Sequence, residues 1–131
     1  MTVFLACPRH MDVFQVIDIK QKIENLLPSV PVTTSKEDFE QNFTECGSWD
    51  NWIDRVVKGR SYLTQKDNYQ MVILSDKILG RATMSIVKGF LGKKKQVKYF
   101  DIDQNKLINV SSVEELDGEN WQGGWTAVLA A

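Results

Sequence analysis

Asp67–Asp103 reads DNYQMVILSDKILGRATMSIVKGFLGKKKQVKYFDID, and the rest of the chain is understood from it. Met71–Leu74 is an apolar run short enough for a buried strand, Ser75–Asp76 interrupts it, and Leu79–Leu91 carries helical periodicity. Lys94–Lys95 closes that helix, and Val97–Ile102 reads as a second strand. Strand, helix and strand in this order form a βαβ unit, whose crossover sets the strands parallel and lays the helix on one face. The sequence therefore predicts an α/β protein with a mostly parallel sheet and helices on both faces. In open sheets of this kind ligands bind outside the carboxyl ends of the strands. That locates a site around Ser75, Asp76, Gly80 and Arg81.

At 100° per residue, Leu79, Ala82, Met84, Ile86, Val87, Phe90 and Leu91 share one broad side of the helix, while Arg81, Ser85 and Lys88 fall together on the other. The apolar side is expected to bury against the sheet. Arg81 falls in the first turn, beside unpaired N–H groups that carry partial positive charge, so Gly80–Arg81–Ala82–Thr83 suits an anion such as phosphate. Gly80 would allow close approach to the backbone. Read without a ligand, Gly80 serves the turn and Arg81 is a solvated charge.

The chain has 131 residues and 43% hydrophobic content, enough for a single domain with a real core. Sixteen Lys plus Arg against 17 Asp plus Glu leave a net charge of −1, so nucleic acid and membrane surfaces are not expected as partners. Lys93–Lys95 reads as a helix C-terminus, where cations are favoured. Cys7 and Cys46 form no CxxC pair and fit a reducing, cytoplasmic compartment. No apolar run approaches the ~20 residues that span a bilayer.

Thr2–Cys7 is an apolar, β-rich run stopped by Pro8, and reads as the first buried strand. Asp12–Leu27 repeats apolar residues at Val13, Val16, Ile17, Ile23, Leu26 and Leu27 and is a helix closed by Pro28. Arg9 and His10 then occupy a βα turn and are candidate ligand contacts. Cys7 with His10 would make a nucleophile and base, whereas a buried Cys7 is a small hydrophobe. Val30–Thr33 predicts a short strand whose prolines favour a sheet edge. Ser35 with Asp38 resembles a capping box ahead of a short helix holding Phe39 and Phe43. From Ser48, Trp49, Trp52, Ile53, Val56 and Val57 recur at helical spacing, either as core or as a pocket wall, with Asp54 on the opposite face. Gln104–Lys106 is a turn signal before a short strand at Leu107–Val110. Residues 104–131 are expected to form a C-terminal extension packed on the domain, its Trp121–Trp125 segment either docked there or meeting a base or partner chain. There is no GxGxxG, P-loop, HExxH or GxSxG motif, and one histidine makes no protein-bound metal site.

With strand–PRH–helix at its start and SDKILGRATMSIVKGFLGKKKQVKYFD later, the chain resembles the Rossmann-like superfamily of nucleoside 2-deoxyribosyltransferases, and small phage and bacterial nucleotide-binding proteins of that type. The resemblance implies a single Rossmann-like domain with flavodoxin-like strand order, a nucleoside or nucleotide ligand, and a homo-oligomer. It also implies that a helix brings a nucleophilic Glu to the sugar, but the matching position here holds Met84 or Ser85, neither able to form a glycosyl ester.

Three functions follow. The first is a non-catalytic nucleoside or nucleotide binder, serving regulation, or sequestering a nucleotide signal were the protein phage-encoded. Its ligand-binding residues would be Arg9, His10, Ser75, Asp76, Gly80, Arg81, Thr83 and Ser85, with no metal or cofactor. The second is an N-glycosidic-bond enzyme in which Asp76, or Asp54, replaces the absent Glu. The third is an interaction module using Trp121–Trp125 or the Trp49/Trp52 helix.

Overall fold

The computed structural model describes residues 2–7, 11–41, 47–52, 69–75, 78–110 and 126–128. Five strands form the main sheet: β1 (Thr2–Ala6), β2 (Val32–Thr34), β3 (Tyr69–Leu74), β5 (Gln96–Asp101) and β6 (Lys106–Val110), in the order β2-β1-β3-β5-β6. The first four are mutually parallel, with Leu5 opposite Thr34 and Ile73, and Ile73 opposite Lys98. Counted by first appearance in this sheet, that is the 2-1-3-4-5 order of doubly wound folds, ending in an antiparallel fifth strand. β6 joins β5 as a hairpin, pairing Val97 with Val110 and Asp101 with Lys106. Asp101 Oδ1 stabilises the turn by accepting from the Asp103 and Gln104 amides, and Asn105 takes the left-handed conformation at φ 49°.

Alternation along the strands divides the core into two layers. Val3, Leu5, Met71, Ile73 and Phe100 face helix α1 (Val13–Leu26), which contributes Ile19 and Ile23. Phe4, Ala6, Val72, Leu74 and Val97 face helix α3 (Arg81–Gly92), which contributes Met84, Ile86, Val87 and Phe90. Because both faces are covered, the central strands are continuous apolar runs, which is how Met71–Leu74 announces itself in the sequence. Fully burying a side chain such as Val87 or Phe90 contributes roughly 1.5–3 kcal/mol.

Several local expectations are revised. Ile78–Gly80 is not the start of the helix but a short strand, β4, paired in parallel with β7 (Thr126–Val128) in a separate two-stranded sheet, so α3 begins at Arg81. The cap of helix α2 (Ser35–Gln41) lies one residue earlier than Ser35: Thr34 Oγ1 accepts from the Glu37 amide at 3.2 Å and donates to Glu37 Oε1 at 3.1 Å. Asp38 is thereby released from the capping role and is buried. In α1, Ile19 and Ile23 are the buried residues, while Val13 and Ile17 are about half exposed. The edge position of β2, suggested by its prolines, is observed. A helical turn at residues 49–52 is capped by Ser48, whose hydroxyl accepts from the Asn51 amide. Gly47 precedes it at φ 77°, a conformation glycine adopts without strain. Ile53, Asp54, Phe43, Cys46 and Trp121–Trp125 lie outside the described residues.

Candidate functional site

The chain leaves β1 for β2 on one side, and β3 later pairs with β1 on the other, so the direction of winding reverses at β1. Such a reversal opens a crevice beyond the strand ends. Two serines finish β1 at this point. Ser35 Oγ accepts from the Cys7 amide at 2.9 Å and donates to the Leu5 carbonyl at 3.3 Å. From the opposite side Ser75 donates to the Ala6 carbonyl through both its amide, at 3.2 Å, and its hydroxyl, at 2.8 Å. Where the ladders stop, these hydroxyls supply the partners that buried backbone groups require.

Beside this strand end lies a cleft of about 520 Å³ between α1 and α2. Cys7 and Thr34, at the ends of β1 and β2, form part of its lining. Met11, Val13, Val16 and Ile17 supply an apolar wall, and Phe39 and Trp49 an aromatic one. The two rings meet edge to face with centroids 5.1 Å apart, and Trp49 lies 5.1 Å from Trp52 in the core behind. Trp49 is thus pocket lining and Trp52 is core, dividing between two residues the alternatives that their spacing leaves open. Exposure of Val13 and Ile17 follows from the same arrangement: their side of α1 borders an open volume rather than the sheet.

Lys20, Lys36, Glu37 and Glu40 complete the lining, two cations against two carboxylates. Lys20 Nζ is 3.0 Å from Glu37 Oε1, tying α1 to α2. Burial alone would raise the Glu37 carboxyl pKa, but the Lys20 ammonium and the Thr34 hydroxyl outweigh it and hold the group below its ordinary value. Beneath the cleft, Asp38 is fully buried and accepts from Trp52 Nε1 at 3.1 Å and from the Tyr69 hydroxyl at 3.5 Å.

Of the residues singled out from sequence, Ser75 is buried at the end of β3 with its hydroxyl on Ala6. Gly80 ends β4 and Arg81 opens α3, with Thr83 and Ser85 half-buried in the turns that follow. Arg9, His10 and Asp76 lie outside the described residues. Met84, one of the two positions matching the transferase nucleophile, is in the core. Sequence reasoning missed Lys20, Thr34, Lys36 and Glu37. For Thr34, Lys36 and Glu37 the one signal was the expectation of a helix starting near Ser35, which puts polar residues at the end of a strand, and for Lys20 there was none.

Compared with protein-family models, curated proteins and solved structures, the chain matches none. Among the described residues no cluster of His, Cys, Asp or Glu is arranged to hold a metal ion, and no helix is long and apolar enough to cross a membrane. The fold is α/β with a five-stranded, mostly parallel sheet, compatible with a single Rossmann-like domain.

Proposed function

We propose that the protein binds a nucleoside or nucleotide in the cleft beside the end of β1, without turning it over. The observation that carries this reading is the lining itself: an apolar and aromatic wall beside the strand-end crevice, with a few polar groups from α1, α2 and the end of β2. Its 520 Å³ falls within the roughly 300–1,000 Å³ of small-molecule sites, and its composition matches theirs. A base is flat, apolar on its faces and polar at its edge, and Phe39 and Trp49 offer ring surface for it. Arg9 and Arg81 are the residues proposed to meet phosphate where the ligand has one. Binding without turnover is supported by the residues at the position matching the transferase nucleophile, Met84 or Ser85, neither of which is a carboxylate. Two cysteines without a CxxC pair support a reducing, cytoplasmic setting for this binding.

Calorimetry of the protein with nucleosides, their 5′-monophosphates, NAD and cyclic nucleotides, followed by mass spectrometry of the recovered ligand, tests both halves. Binding with the ligand returned intact is expected. Release of free base would identify an enzyme instead. In a Cys46→Ser background, bound ligand should slow alkylation of Cys7 by iodoacetamide, because Cys7 lines the cleft; binding without protection would put the ligand elsewhere.

A further inference from the structure

We propose that Glu37 is the acceptor for the sugar hydroxyls of a nucleoside, which makes the cleft a ribonucleoside site rather than a phosphate site. This rests on the binding function proposed above and names the part of the ligand that is recognised. Glu37 Oε1 already accepts from Lys20 Nζ and from Thr34 Oγ1, at 3.0 and 3.1 Å. These bonds fix the carboxylate from α1 on one side and from the end of β2 on the other, so the side chain is oriented before any ligand arrives. All of these bonds come from Lys20 and Thr34, the Thr34 backbone included, and Glu37 lies in the lining with its side chain 41% exposed.

Three features select the ligand chemistry. The group is held ionised, so it accepts and does not donate. Base edges that offer two adjacent N–H donors engage both oxygens of a carboxylate, and Oε1 is occupied twice over, whereas a hydroxyl needs only a single acceptor position. Lastly, Lys20 is neutralised by Glu37, and the lining carries two cations against two carboxylates, leaving no excess positive charge for a phosphate.

The test is calorimetry with adenosine, guanosine, cytidine and uridine, each beside its 2′,3′-dideoxy counterpart, on the natural protein and on Glu37→Gln. For the base that binds, removing the hydroxyls is expected to weaken affinity roughly ten- to hundredfold in the natural protein, the range of a hydrogen bond to a charged group. Glu37→Gln should weaken the ribonucleoside by a similar factor and leave the dideoxynucleoside almost unchanged. Equal weakening of both ligands would show that Glu37 acts only by holding α1 to α2, and equal affinity of the two ligands for the natural protein would show that the hydroxyls are not read; either overturns the inference while leaving the binding function standing. Failure of every nucleoside and nucleotide to bind would overturn both.

Discussion

Asp38 is fully buried, yet its carboxylate receives Trp52 Nε1 and the Tyr69 hydroxyl, and so ties α2 to the helical turn at 49–52 and to β3. Removing it would take the acceptor from both buried donors, at a desolvation cost. Asp38→Ala is expected to lower stability by about 2–4 kcal/mol, read from the urea midpoint. Tyr69 has its pKa raised above the ordinary 10.0, first by burial, against which a hydrogen bond from Thr33 lowers it, with the negative charges of Asp38 and Glu37 and the bond to Asp38 adding to the rise. A group whose folded pKa is raised gives its full stabilisation below the unfolded value and loses it as pH climbs through the folded one. Stability should therefore fall as pH rises beyond about 10, and Tyr69→Phe should flatten that fall while costing roughly 0.5–1.5 kcal/mol at neutral pH. An equally steep alkaline loss in Tyr69→Phe would assign it to other groups. None of this network was legible in the sequence. A carboxylate three residues after a serine looks like a cap, and its partners arrive from 14 and 31 residues away.

Among the elements, α3 shows how backbone chemistry closes a helix. The Lys95 amide donates to the Phe90 carbonyl at 2.8 Å and the Lys94 amide to Leu91 at 3.0 Å, with Lys94 in the left-handed conformation at φ 58°. This is the paired-bond ending that usually carries glycine at the left-handed position. Lys94→Gly is expected to raise stability by about 0.5–1 kcal/mol, measured as a higher urea midpoint with unchanged slope. A decrease would mean that the lysine stem packs usefully. The helix, its lysine-rich end and the flanking parallel strands could all be read from periodicity, because a face buried against a sheet must be apolar at helical spacing. Its first turn could not. Ile78-Leu79-Gly80 continues the apolar pattern, and only pairing with residues 126–128 makes it a strand. Along α1 the pattern was ambiguous in the opposite sense, since apolar residues facing a cleft obey the same spacing as those facing a core.

For the molecule as a whole, alternation in β1 and β3 sends successive side chains to two separate layers, one under α1 and one under α3. The cleft sits outside both, where α1 and α2 flank the strand ends and the core cannot fill the space. Sheet class and strand-end location of a site were therefore legible, being properties of repeating patterns. The particular residues around the cleft were not, because they come from α1, α2, the helical turn at 49–52 and the ends of β1 and β2, whose approach is set by packing.

The bond from the Ser75 hydroxyl to the Ala6 carbonyl joins residues 69 positions apart. Before β3 pairs with β1 the chain must close a loop of that length, and the entropy of closure opposes it until several contacts form together. β1 and β2 can associate through the intervening helix much sooner, so β1 waits with one edge unpaired, a time during which it is open to pairing with another chain. As the last link at the end of that pairing, the serine hydroxyl should still be unbonded at the kinetic barrier. Ser75→Ala is accordingly expected to speed unfolding while leaving the refolding rate nearly constant in a stopped-flow denaturant series, a φ-value close to zero. A slower refolding rate would instead place the meeting of β1 and β3 before the barrier, and shorten the interval in which the newly made first strand is exposed.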